Sequence, residues 1–198
     1  MKKLAILDGS LNGKSGNTGT VVTELLKLFE GKLDSDYIDL KDVDAPRGLE
    51  KRLRAASGFI VATGTYWQSW GSPLQRFFEE TTDWEGSDIW LGKPACVVVT
   101  MHSIGGMGLI ARLQSNLSLL GAIIPPQCCI AHSYINQEAR KSSDSEDIWD
   151  LKYLPTISHN LLEAIEGTHR YTSWTVDKVG NRSEIWINEA KESTDKSR

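Results

Sequence analysis

The chain has 198 residues, 40% of them hydrophobic, and its 22 Lys and Arg stand against 26 Asp and Glu for a net charge of -4. That length and apolar fraction suffice for one well-buried core, and scattered cations on a net acidic chain supply no basic field for nucleic acid. The apolar run after Met1-Lys2-Lys3 ends at Asp8, too short for a secretory signal or a membrane span, so no membrane partner and a cytoplasmic location are expected.

The first predicted element is the strand Leu4-Ala5-Ile6-Leu7, which runs directly into Gly9-Ser10-Leu11-Asn12-Gly13-Lys14-Ser15-Gly16-Asn17-Thr18. Gly9, Gly13 and Gly16 permit tight turning, while Ser10, Asn12, Ser15, Asn17 and Thr18 offer short donors that close around phosphate oxygens. A helix follows, with Val21, Val22, Leu25, Leu26 and Phe29 at helical spacing and Gly31 as its stop signal. A strand, such a loop and then a helix aim unpaired N–H groups and the positive end of a helix dipole at one point, which makes an anion site. Loops of this composition also join strands to helices without binding anything. The spacings G-x-x-x-x-G-K-[ST] and G-x-G-x-x-G are absent, which argues against a P-loop or a dinucleotide fingerprint.

Tyr37-Ile38-Asp39-Leu40 reads as a second strand, Leu49, Leu53 and Ala56 mark a helix, and Gly58-Phe59-Ile60-Val61-Ala62-Thr63 reads as a buried third strand. Next come a helix over 73–82, a strand over 95–100, a helix carrying Leu109, Leu113, Leu117 and Leu120, and a fifth strand at Ala122-Ile123-Ile124. A final helix over 156–166 bears Ile157, Leu161, Leu162 and Ile165, is capped by Gly167, and should cover the sheet near its first strand. Beyond it, runs 171–176 and 183–187 flank the turn-prone Lys178-Val179-Gly180-Asn181-Arg182 and suggest an added hairpin, with a polar tail over 189–198. The expected organisation is one domain over 1–167 and a C-terminal extension over 168–198.

Short apolar strands alternating with amphipathic helices imply an α/β fold, a doubly wound five-stranded parallel sheet with helices on both faces. Ligands of such sheets dock outside the carboxyl ends of the strands. Three loops follow strand ends here, over 10–18, 65–72 and 102–108, and together they should form one pocket. Cys96, Cys128 and Cys129 fit neither a disulfide framework nor a C-x-x-C site and read as buried thiols. His102, His132, His159 and His169 have no metal-ligand spacing, so no metal is expected.

The three loops resemble those of the flavodoxin-like NAD(P)H-dependent FMN reductase and quinone reductase family, over about residues 3–167. Gly9, Ser10, Ser15 and Asn17 match a first loop G-S-x-R-x-x-S-x-N that grips the FMN phosphate in that family, with Asn12 in place of the Arg. Gly64-Thr65-Tyr66 and Pro73-Leu74-Gln75-Arg76-Phe77 are similar to its second loop, P-x-Y then P-L-K-x-F, with Gly64 where Pro is usual. His102-Ser103-Ile104-Gly105-Gly106 resembles its third, Gly-rich loop. The resemblance implies FMN as cofactor, held by Ser10, Asn12, Ser15, Asn17 and Thr18 at the phosphate. It implies that Thr65, Tyr66, Trp67 and Gln68 border the ring, and that His102, Ser103, Gly105 and Gly106 hold its pyrimidine end, with His102 as the candidate catalytic neighbour.

The activity so implied is hydride transfer from NADPH or NADH to FMN, then transfer of two electrons to a quinone, azo compound, flavin or similar acceptor, in ping-pong order. Family members commonly form homodimers or homotetramers, which gives Tyr66 to Trp70 a second role as subunit contacts. The competing readings are a single-electron flavodoxin shuttle and a flavin-binding regulatory protein that docks through Trp174 and Trp186. A shuttle gains from carboxylates near the ring, and neither 65–72 nor 102–108 contains an Asp or Glu.

Overall fold

A computed structural model describes residues 1–134 and 151–167. Its elements in chain order are β1 (Lys2–Asp8), α1 (Asn17–Lys27), β2 (Leu33–Asp39), α2 (Glu50–Arg54), β3 (Gly58–Gly64), α3 (Ser72–Glu80), β4 (Ala95–Met101), α4 (Gly106–Leu120), β5 (Cys129–Ser133) and α5 (Leu154–Glu166). The five strands form one wholly parallel sheet in the order β2-β1-β3-β4-β5. Strand order therefore reverses at β1, which pairs with β2 on one side and β3 on the other. A crevice opens there at the carboxyl ends.

Burial on both faces explains why β1, β3 and β4 are continuously apolar rather than alternating. Ala5, Leu7, Phe59, Val61, Val97 and Val99 point to one face, where α2, α3 and α4 contribute Leu53, Leu74, Phe77, Leu109 and Leu113. Leu4, Ile6, Ile60, Ala62, Val98 and Ile130 point to the other, under Val22 and Leu25 of α1 and Ile157 and Leu161 of α5. α5 begins with Pro155 in its first turn and reaches the start of β1, where the Lys2 ammonium donates to the Ile165 carbonyl at 2.7 Å.

β2 begins at Leu33 rather than Tyr37 and leaves Leu40 to a 3-10 turn, and two further elements differ from the sequence expectation. The fifth strand is Cys129–Ser133, paired with Val97 to Met101, whereas Ala122-Ile123-Ile124 contributes only a single bridge between Ile123 and Pro94. Pro125 and Pro126 follow that run, lack N–H donors and stop the ladder, so pairing with β4 resumes only past them. The helix marked by Leu49, Leu53 and Ala56 is a 3-10 turn, Pro46–Leu49, followed by the single turn of α2.

The three cysteines are free thiols, Cys96 and Cys128 buried and Cys129 half-buried. Burial pushes the Cys128 thiol up to about 12. Among the described residues no helix is long and apolar enough to cross a membrane, and no three His, Cys, Asp or Glu side chains could gather a metal ion. The expected hairpin, Trp174, Trp186, His169 and the tail lie outside the described residues.

Candidate functional site

Loop 1 leaves β1 under the control of a buried carboxylate. One oxygen of Asp8 accepts the Ser10 N–H at 2.9 Å and the other accepts the Tyr37 hydroxyl at 2.5 Å. Burial, then the Asp8 hydrogen bond, raises the Tyr37 pKa far above its ordinary value, so this hydroxyl stays protonated and keeps donating. Gly13 adopts φ +56°, and a Cβ there would fall on the Asp39 carboxylate, whose oxygen accepts the Lys14 N–H at 3.1 Å. The Lys14 ammonium lies 5.2 Å from the centre of the Tyr37 ring.

The loop ends at the N-terminus of α1. There the Thr18 and Thr100 hydroxyls bond at 2.7 Å and tie the helix start to the end of β4. Loop 2 is tied to loop 1 by the Tyr66 hydroxyl, which accepts the Leu11 N–H at 3.0 Å. Tyr66 and Ser69 close a tight turn through two backbone bonds of 2.8 and 2.9 Å, with Trp67 at φ 49° and Gln68 at φ 62°. At Gly64 a Cβ would come within 2.9 Å of the Tyr66 hydroxyl, so the glycine leaves room for that ring.

These loops border a cavity of about 540 Å³. Ser10, Asn12, Gly16, Asn17 and Thr18 line it from loop 1, and Gly64, Thr65 and Tyr66 from loop 2. Thr100, Met101 and His102 close it at the end of β4, and His132 and Tyr134 at the end of β5. Two hydroxyls in this wall are buried with no hydrogen-bond partner, Ser10 Oγ and Thr65 Oγ1. Because buried polar atoms are nearly always satisfied, two orphans on residues that line one cavity point to a polar ligand there. Among the described residues no Lys or Arg lines the cavity, and Glu24, paired with Lys27 at 2.7 Å, does.

Several expected site residues stand outside this wall. The Ser15 hydroxyl donates to the Asn12 carbonyl at 3.0 Å and so shapes loop 1 from within. Trp67 is fully exposed, and Gln68 and Ser103 are exposed. Gly105, at φ +95°, precedes α4, and the Gly106 N–H approaches the Met101 sulfur at 3.1 Å. His102 lines the cavity with its ring stacked 6.1 Å from that of Tyr134.

Conversely, Thr20, Val21, Glu24, Thr100, Met101, His132, Tyr134 and Leu151 line the cavity without having been singled out for it. For His132 the missed signal was the position of β5: a histidine one residue before the carboxyl end of that strand belongs to the ligand edge of the sheet.

A parallel sheet of this order, with a donor-rich loop between β1 and α1, defines a flavodoxin-like protein. Residues 1–137 match the family model for NADPH-dependent FMN reductase, and the chain belongs to that family of flavin-dependent oxidoreductases. No curated protein sequence matches it. Solved structures share its fold. RosB with the bound intermediate 8-demethyl-8-formylriboflavin-5'-phosphate has 14% identity and TM-score 0.70, over 98% of this chain and 88% of that one. FerB, a flavoenzyme NAD(P)H:(acceptor) oxidoreductase from Paracoccus denitrificans, has 23% identity and TM-score 0.63, over 84% and 98%. An oxidoreductase from Corynebacterium diphtheriae has 17% identity and TM-score 0.65, over 83% and 97%.

The wall of the cavity fits the FMN that the family implies. Ser10, whose hydroxyl is an orphan, shares the wall with the start of α1, which has no side-chain cap, and with the short neutral donors Asn12, Asn17 and Thr18. Thr65 supplies the second unsatisfied donor on the loop 2 side.

Proposed function

We propose that this protein binds FMN in the cavity and oxidises NADPH or NADH, passing two electrons to a quinone, azo compound, free flavin or similar small acceptor, with donor and acceptor visiting the site in turn. The observation that carries this reading is the buried, unpartnered hydroxyl of Ser10, a residue that shares the cavity wall with the N-terminus of α1, in a chain of this family. Bound FMN supplies the redox chemistry by accepting a hydride and returning two electrons.

The chain's own residues then bind and orient. Ser10, Asn12, Asn17 and Thr18 surround the phosphate position, and Ser15 holds Asn12 in place through its carbonyl. Thr65, Tyr66 and the turn at Trp67 and Gln68 border the ring, and His102 with the Ser103, Gly105 and Gly106 segment, in which Gly105 packs against Thr65 and Gln68, holds its pyrimidine end. The absence of carboxylates from 65–72 and 102–108 favours this enzyme over a one-electron shuttle, because negative charge beside the ring is what disfavours its fully reduced anion. A homodimer or homotetramer in the cytoplasm completes the proposal. Trp67, Ile104 and Met107 expose apolar surface near loops 2 and 3, where a second copy would pack.

The test is the visible spectrum of protein mixed with FMN, desalted, and treated anaerobically with NADPH and separately with NADH. Retained flavin that bleaches within the mixing time supports the reductase. Retained flavin that does not bleach supports the shuttle or the flavin-binding regulatory protein, and loss of flavin on desalting overturns all three readings.

That no cation lines the cavity among the described residues gives a separate prediction. Asn12→Arg should tighten FMN binding about tenfold, from one charge-assisted bond of at least about 1.5 kcal/mol. Riboflavin, which has no phosphate, should bind as before. Titrations following flavin fluorescence check this, and equal tightening of both ligands would count against a phosphate near Asn12.

A further inference from the structure

We infer that Arg112 of α4 is a positioning residue for the flavin ring, acting by holding the Trp67–Gln68 turn in a shape that the turn's own residues resist; this rests on the FMN reading above. Two consecutive non-glycine residues in the left-handed region are rare, and tight turns of this kind favour Asn-Gly at their centre. Here the centre is Trp67 at φ 49° and Gln68 at φ 62°, a bulky aromatic and a long side chain. Something outside the turn must therefore hold it.

The holding group is visible. The Arg112 guanidinium donates to the Gln68 carbonyl and lies 5.3 Å from the centre of the Trp70 ring. Trp70 is itself fixed, since its indole N–H donates to Gln75 Oε1 at 2.6 Å and its ring meets Phe78 edge-on at 6.1 Å. One side chain thus clamps the turn at its tip and just beyond its end, from the helix that follows loop 3. A flat, delocalised guanidinium suits both contacts at once, which a lysine ammonium does not.

The clamp determines what the turn presents. Tyr66 N–H and Ser69 N–H are consumed closing the turn, whereas the Trp67 and Gln68 N–H groups donate to nothing else among the described residues. Immediately before them stand Tyr66 and the orphan hydroxyl of Thr65, both in the cavity wall. Trp67 and Gln68 stand outside the wall but follow it directly in sequence, and in the proposed complex their two adjacent amides would form a donor set at the acceptor-rich edge of the flavin ring. Fixed before the ligand arrives, that set costs no ordering on binding.

The strain itself supplies the test. Glycine is at ease at positive φ, so Gln68→Gly should make the turn independent of the clamp while keeping the carbonyl that Arg112 bonds. We would compare the wild type, Arg112→Met, Arg112→Lys, Gln68→Gly and the Arg112→Met/Gln68→Gly double variant. FMN affinity would be read by fluorescence titration, and hydrogen exchange at the Ser69 amide would be read in flavin-free protein.

Arg112→Met should weaken FMN binding about tenfold, as loss of one charged hydrogen bond would, and speed Ser69 exchange, with an unchanged melting temperature. Arg112→Lys should fall between Met and wild type. The double variant should bind within about twofold of Gln68→Gly alone, the non-additivity expected of coupled sites. Equal loss in Arg112→Met and in the double variant, or no loss in either, would overturn the inference. If wild-type protein binds no FMN yet Ser69 exchange still follows Arg112, the clamp stands, while the FMN reading and Arg112's role toward the ring both fall.

Discussion

Asn17→Asp should cut affinity for FMN roughly a hundredfold while leaving the fold as stable as before or slightly more so. The two effects have opposite signs because they come from one charge acting on two partners. Asn17 is the first residue of α1, exposed, in the cavity wall. A carboxylate in the first turn of a helix meets the positive end of the dipole and gains about 0.3 to 1 kcal/mol. The same carboxylate faces the place where the phosphate would sit. At a few ångströms and an effective dielectric of about 20 to 40, repulsion between them is about 3 kcal/mol, or a hundredfold in binding.

Riboflavin provides the control, since it shares the ring and lacks the phosphate. Parallel titrations of the variant with FMN and riboflavin, alongside a thermal melt, decide the matter. A similar loss for both ligands would remove the phosphate from the start of α1.

The second large effect falls on the fold. Gly9→Ala should lower unfolding stability by about 3 kcal/mol or more, seen as a lower urea midpoint with an unchanged slope. The Gly9 N–H extends the sheet by donating to the Ala62 carbonyl at 2.8 Å, so this backbone has no freedom to retreat. A Cβ there would overlap the Leu74 side chain and approach its Cα to 3.0 Å, and Leu74 is fully buried in the first turn of α3. The interlock is mutual, because a Cβ on Gly71 would strike the Gly9 carbonyl. Gly48→Ala is the matched control, since a Cβ there meets nothing within 4 Å, and its midpoint should hardly move. Equal shifts for the two variants would mean that loop 1 has more room than its packing against α3 implies.

The parallel direction of the strands was legible because β1, β3 and β4 are uninterrupted apolar runs between amphipathic helices, the pattern of a sheet covered on both faces. Loop 1 was legible through its density of small donors. The edge strand was not, because Ala122-Ile123-Ile124 looks as apolar as Cys129 to Ser133 and only the two prolines between them separate bridge from strand. His132 and Thr100 were missed as cavity residues for a related reason: their place depends on register with neighbouring strands.

Supports were the least legible. Asp8 and Tyr37 lie 29 residues apart and meet only because β1 and β2 are adjacent, and Arg112 reaches Gln68 across 44 residues. Contacts of this kind leave no local pattern in composition or spacing, since either partner alone reads as an ordinary polar residue.

The hydroxyl bond between Thr18 and Thr100 also orders events at the ribosome. Synthesis runs from the N-terminus, and β2, β1 and β3 are complete by Gly64, so three strands can pair while the rest of the chain is still being made. At that stage the glycine-rich loop exists, but the helix start behind it has no anchor and the cavity has no wall from β4. Only when Thr100, Met101 and His102 have emerged and β4 has docked on β3 does the pocket close around its orphan hydroxyls. Completion of the pocket is therefore a late event in the synthesis of the chain, because its wall from the end of β4 cannot exist before that strand has emerged.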